Sequence, residues 1–146
     1  MSRATQIERV IAKGQLVPLV FMQDAVAASQ SDVQLLVAEV ASAANNAVDG
    51  YVMPFEGEIV AVTARLSAAA TAGSLTVGPT VGGTEKTDPT LSITTAQSAR
   101  DTANRGAAVF SAGDLIGAEI TTDGTWDATT ADLVVVVWVL LHLEGI

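Results

Sequence analysis

From Leu133 to Leu141 the chain runs through nine consecutive apolar residues, five of them valine. β-Branched and aromatic side chains fit a pleated strand and are restricted in a helix. The run is also far short of the roughly 20 apolar residues that a membrane-spanning helix needs. Successive strand side chains point to opposite faces, so an unbroken apolar run predicts a strand covered on both. The domain's own core covers one face. In an antiparallel all-β domain, the natural cover for the other is a second subunit. Candidate interface residues are therefore Val134, Val135, Val136, Val137, Trp138, Val139 and Leu140. Either the odd-numbered valines or the alternate set Val134, Val136, Trp138 and Leu140 meets the neighbour, and the pattern does not choose between them.

Alternation and punctuation elsewhere predict more sheet. Gln15–Gln23 reads as a strand, placed at an edge by Pro18. Val33–Val40 alternates imperfectly. A helix over Asp32–Ala44 is its rival, and the strand reading is preferred because the neighbours are sheet-like. Tyr51–Phe55 is a short strand. In Glu58–Leu66, Val60, Val62, Ala64 and Leu66 fall on one face, with Ile59, Ala61, Thr63 and Arg65 on the other. Ser74–Val81 alternates cleanly and ends at Gly82-Gly83, a hairpin signal. Thr90–Thr95 places Leu91 and Ile93 inward, Ala96–Gly106 reads as an exposed loop, and Leu115–Thr122 is a strand. About eight short strands with frequent turns predict an all-β fold, a jelly-roll-like antiparallel β-sandwich. It is divided into an N-terminal arm (residues 1–14) and one sandwich domain (residues 15–146).

Composition sharpens the assembly reading. The 146 residues are 49% hydrophobic and only 16% charged, which suits burial against neighbours. A net charge of −9 opposes binding to nucleic acid or an anionic membrane, so neither is an expected partner. Positive charge gathers in the arm, where Arg3, Arg9 and Lys13 accompany one acid, Glu8. Ile7, Val10 and Ile11 follow helical spacing there. Such an arm on an acidic body would dock on an acidic neighbour or stay solvated. No secretory signal is legible, because Pro18 interrupts Leu16–Met22 and no small-residue cleavage site follows.

Candidate chemistry is thin. The single histidine, His142, has no Gly-x-Ser-x-Gly partner, and with no cysteine a zinc site is not expected. Asp114, Glu119, Asp123, Asp127 and Asp132 gather late in the chain, but their spacing fits no calcium loop and suits turns. Aromatic content of 4% argues against a sugar cleft with paired carboxylates. Trp126 reads as packing over the end of its own sandwich, with exposed recognition as the rival. No enzyme activity, metal or cofactor is expected.

Several segments resemble a known group. They are Gly50–Pro54 with Gly57–Val62, then Ala72–Val77 through Val81–Thr84, then Phe110–Gly117, Thr121–Asp123 and Ala131–Leu133. In this order they are similar to jelly-roll virion proteins of tailed bacteriophages, in particular head decoration (cement) proteins and related fibre-head modules. The resemblance covers Gly50–Leu143 and rests on turn-and-strand punctuation. It implies a homotrimer, made in the host cytoplasm, that sits on the outer capsid surface and clamps the major capsid protein. Arg3, Ile7, Arg9, Val10, Ile11 and Lys13 would then form a capsid-contact arm. The alternative is a tail-fibre or receptor-binding module on a similar sandwich.

Overall fold

The computed structural model describes residues 14–37 and 48–143. Their regular structure is eleven strands, and no helix is present among them. The strands are β1 (Gln15–Gln23), β2 (Val33–Gln34), β3 (Tyr51–Val52), β4 (Gly57–Leu66), β5 (Leu75–Val81) and β6 (Thr84–Glu85). They continue with β7 (Leu91–Ile93), β8 (Ser98–Thr102), β9 (Val109–Phe110), β10 (Leu115–Thr122) and β11 (Leu133–Leu141). One sheet has the order β1-β11-β4-β8, with β9 also on β4. The other has the order β2-β10-β5-β6, with β3 on β10 and β7 on β5.

Four strands are only two residues long; keeping β2, which forms the outer end of its sheet on β10, and setting aside β3, β6 and β9 leaves eight. Counted along the chain, they lie first-eighth-third-sixth in one sheet and second-seventh-fourth-fifth in the other. Every pairing is antiparallel. This interleaving of two Greek keys is a jelly roll, so the all-β sandwich expected from the pattern is the fold.

The core lies between the sheets. Leu19, Phe21, Val62, Leu66, Val135 and Val137 enter it from one side, and Leu75, Val77, Leu91, Ile93, Ile116 and Ile120 from the other; all are buried. Phe21 meets Tyr51 edge-on at 5.5 Å, which ties β1 to the opposite sheet. Trp126 is 3% exposed and its Nε1–H donates to the Val26 carbonyl at 3.1 Å. It therefore closes one end of the sandwich and is not available as an exposed contact.

Two sequence expectations need correction. Ile59 does not share a face with Ala61 and Thr63, because the β4–β11 register slips: Ala61 faces Trp138, yet Ile59 faces Val139. One extra residue, Val60, is accommodated as a β-bulge, and residues before it switch faces. Ile59 is consequently buried. The second concerns Ala96–Gly106, which is not simply a loop, since β8 pairs with β4 from Ser98 to Thr102. β8 lies at an edge of its sheet and is polar on both sides, so it carries no apolar alternation.

Of the strand expected over Val33–Val40, Val33–Gln34 form β2 and Leu36 makes an isolated bridge to Met22. Residues 38–47 lie outside the described residues, as do 1–13, which carry the expected arm.

Pro18 sits where sequence logic put it. Met22 exchanges backbone bonds with Leu36 at 2.8 and 3.0 Å, so its peptide groups point away from β11. Strand periodicity turns the Pro18 peptide the same way. Its missing N–H therefore falls on the free edge and costs no ladder bond. On that edge the Val20 carbonyl accepts from the Tyr51 hydroxyl at 3.1 Å. Proline, tyrosine and the Leu36 bridge together blunt β1 against pairing with another strand.

Candidate functional site

The two outer faces of the sandwich differ sharply in chemistry. Along β11, Leu133, Val135, Val137, Val139 and Leu141 are buried, whereas Val134, Val136, Trp138 and Leu140 are exposed or half-buried. The register aligns these four with Met22, Val20, Pro18 and Leu16 of β1. Eight side chains in two adjacent columns thus form the outer surface of this half-sheet, and none carries a charge. Leu16 is 54% exposed, Val134 44% and Val20 37%. Across β11 the surface turns polar, with Thr63 and Arg65 of β4 and Ser98, Arg100 and Thr102 of β8. Trp138 leans that way, its Nε1–H pointing at Thr63 Oγ1 at 3.4 Å.

Structure therefore divides the seven interface candidates that the sequence left together. Val135, Val137 and Val139 fill the protein's own core; Val134, Val136, Trp138 and Leu140 are the ones a neighbour can reach. Sequence reasoning missed the β1 column. Its signal was the even-numbered apolar series Leu16, Pro18, Val20 and Met22, matching the parity of the outer β11 set. The arm candidates Arg3, Ile7, Arg9, Val10, Ile11 and Lys13 lie outside the described residues.

The opposite outer face is polar and acidic. Gln34, Gly117, Glu119 and Thr121 face outward there, with Thr76, Gly78 and Thr80 beside them on β5. Asp32, Glu85 and Glu119 bring carboxylate oxygens within 4.8 Å of one another. Gly78 has no side chain, and Glu85 occupies the space that a Cβ there would fill. Glu119 is 8% exposed and accepts from Gln34 Nε2 at 2.6 Å. Burial, reinforced by the charges of Glu85 and Asp32, raises its pKa above the ordinary glutamate value.

A raised folded-state pKa means that the fold binds the Glu119 proton more tightly than the unfolded chain does. Its stabilising contribution is full below the ordinary carboxylate value and is lost as pH rises through the raised one. Glu119→Gln is therefore expected to stabilise the protein at pH 7 by about 0.5–1 kcal/mol, roughly 1–4 °C in Tm. Melting curves at pH 7 and pH 4 check this, since the advantage should vanish at the lower pH.

The late carboxylates singled out in the sequence do not converge with one another. Asp123 accepts from Ser74 Oγ at 2.9 Å and from the Thr125 amide at 3.0 Å. Asp127 accepts from the Thr71 amide at 3.0 Å and from the Thr71 hydroxyl. These hydrogen bonds hold both pKa values below the usual aspartate range. Asp114 caps the Ser111 amide at 2.8 Å, and Asp132 accepts from the Ala25 amide at 3.2 Å. Asp123, Asp127 and Asp132 clasp separate segments, Asp114 closes its own turn, and Glu119 alone joins a carboxylate group.

His142 lies at the end of β11, where Glu56, Gly57, Val109, Phe110, Ser111 and Asp114 join it around an open cavity of about 300 Å³. Its Nε2 is 4.0 Å from the buried Glu58 carboxylate, which also accepts from the Gly106 amide at 2.8 Å. None of the described serine hydroxyls is hydrogen-bonded to His142.

Neither a scan against protein-family models nor a search of curated proteins returned a match. The functional reading therefore rests on the residues and their geometry.

Proposed function

We propose that this protein is a non-enzymatic structural component of a virion shell, a head decoration protein that assembles as a homotrimer on the outside of the capsid. The carrying observation is the uncharged outer surface of β1 and β11, where a strand buried on one face presents four more apolar side chains outward. Antiparallel sheets that meet water alternate apolar-in with polar-out, and the opposite sheet of this sandwich does so. Departure from that rule on one face alone is what an obligate interface leaves on an isolated subunit. A blunted β1 edge directs association to the face and away from strand addition.

The acidic opposite face and the jelly-roll topology fit the decoration-protein resemblance. In that role the oligomer acts by differential affinity: binding only the assembled lattice stabilises the lattice over its separated parts. The adhesive-module alternative loses its leading candidate contact, because Trp126 is buried with its N–H bonded internally.

Sedimentation velocity on the purified chain is expected to give a trimer at about micromolar concentration, the regime of a stable interface. A monomer would overturn the oligomer reading. Gold labelling of particles that carry the protein is expected to decorate the whole head. Label confined to a tail or a vertex would instead favour adhesion.

A further inference from the structure

A trimer constrains which surfaces can meet. A surface that pairs with itself closes a two-fold dimer and stops, whereas a ring of three joins two different patches of each copy, head to tail. With the outer β1/β11 face as one patch, the other lies elsewhere on the same chain. Charge shows where.

The outer face that holds β1 and β11 continues over β4 and β8, and there it carries Arg65 and Arg100. Arg65 pairs with Ser98 and Thr63 with Arg100, so the two arginines are diagonal neighbours on adjacent strands. Both are exposed. The outward positions of β1, β11 and β8, and of β4 beyond its bulge, include no acid. Yet the chain holds sixteen acids against seven bases. Among the described residues neither arginine has an ion-pair partner. This face therefore has an apolar half and a basic half whose charge is not neutralised.

The outer face of the other sheet is its complement. Asp32, Glu85 and Glu119 gather there, and none of them pairs with a cation among the described residues. The outward positions of β2, β10 and β5 include no base. Four residues along β10 from Glu119, Leu115 lies beside Val52, and the two are 38% and 67% exposed. Four residues of strand span about 13 Å. On the first face Val134 and Arg100 are two strands apart, about 10 Å. Each face thus carries an apolar patch and a charged patch at similar spacing, with charges of opposite sign.

We infer that copies of this chain meet head to tail, the arginine-bearing outer face of one on the acidic outer face of the next. Arg65 and Arg100 then lie against Asp32, Glu85 and Glu119, and the β1/β11 surface covers Val52 and Leu115. This rests on the trimer reading and deepens it by naming the surface that the apolar face meets. The contact relieves two unfavourable features of the isolated subunit, mutual repulsion of three carboxylates and apolar surface open to water. Opposed charges also set the orientation and disfavour pairing of like faces, which would bring arginine against arginine.

Cysteine cross-linking tests it in a chain that has no cysteine of its own. Ser98 stands beside Arg65 on the basic face, and Thr76 lies on the acidic face two residues from Gly78, the partner of Glu119. Full-length Ser98→Cys/Thr76→Cys, treated with a short bis-maleimide, is expected to give a covalent trimer on denaturing gels. Each single-cysteine chain should stay unlinked alone and give linked dimers when the two are mixed. Dimers formed by either single variant alone would overturn the proposal, because like surfaces would then be meeting. Absence of links in a double variant that sediments as a trimer would overturn it too, and would leave the oligomer standing. A ladder continuing past three would uphold the contact and overturn the closed trimer, so the two readings fail separately. Charge reversal at exposed positions is the second measurement. Arg65→Glu/Arg100→Glu should keep its far-ultraviolet circular dichroism and raise the dissociation constant at least about 100-fold. Adding Glu85→Lys to the same chain should recover at least about tenfold of that loss. Native-like assembly of the arginine variant, or no recovery with Glu85→Lys, would overturn the proposal.

Discussion

Val136→Glu is expected to dissociate the oligomer while leaving the subunit folded. Val136 lies at the centre of the uncharged surface, flanked by Val20 on β1 and Thr63 on β4. Its side chain points away from the core and is half-buried in the isolated subunit, so a carboxylate there remains hydrated in the monomer. In an assembled interface the same carboxylate would be stripped of water among apolar side chains, a cost that Arg65, its diagonal neighbour on β4, offsets only in part. Central interface positions of this kind cost at least about 2 kcal/mol when spoiled, or roughly 30-fold in dissociation constant. Sedimentation should therefore show monomer where the native chain is oligomeric, with unchanged far-ultraviolet circular dichroism. Particles assembled with the variant should lack it. Native-like assembly of Val136→Glu would remove the β1/β11 face from the mechanism.

Much of the scaffold was legible because the strands that build it alternate or are wholly apolar. Leu75, Val77, Leu91 and Ile93 announce their inward faces, and Gly82-Gly83 announces the turn between β5 and β6. Pro18 marked an edge strand for a reason the hydrogen bonds bear out. What stayed hidden has physical causes. β8 offers Ser98, Arg100 and Thr102 outward and half-buries Ala99 and Asp101 inward, so no hydrophobic period betrays it. The bulge at Val60 is invisible because Ile59, Val60, Ala61 and Val62 are all apolar, and a change of face leaves no mark in such a run.

The candidate site was legible as a strand and illegible as a face. Alternation is the signal that tells inside from outside, and an all-apolar strand erases it. Only the register with β1 and β4 recovers the parity. The carboxylate group at Asp32, Glu85 and Glu119 was equally hidden, since its members come from three separate segments that only the sheet brings together.

The companion substitution one residue along the strand tests that parity and carries the largest effect expected. Val137→Asp should abolish folding. Val137 has no exposed surface and is paired with Leu19 and Val62, both buried. A carboxylate placed there meets no donor and no cation, and burial of an unpaired charge belongs to the rare class of substitutions costing more than about 4–5 kcal/mol. Total stability for a domain of this kind is about 5–15 kcal/mol, so little or none would remain. Val137→Ala gives the graded form, removing buried methyl groups for about 1.5–3 kcal/mol without adding charge. Thermal melts should show Val137→Ala folded with a lowered Tm and Val137→Asp without a cooperative transition. Set beside Val136→Glu, adjacent positions on one strand should fail in opposite ways, one losing its partners and keeping its fold, the other losing the fold itself. If Val137→Asp instead gave a folded monomer and Val136→Glu an unfolded chain, inside and outside would be exchanged along β11. The surface assigned to the neighbour would then be the odd-numbered one.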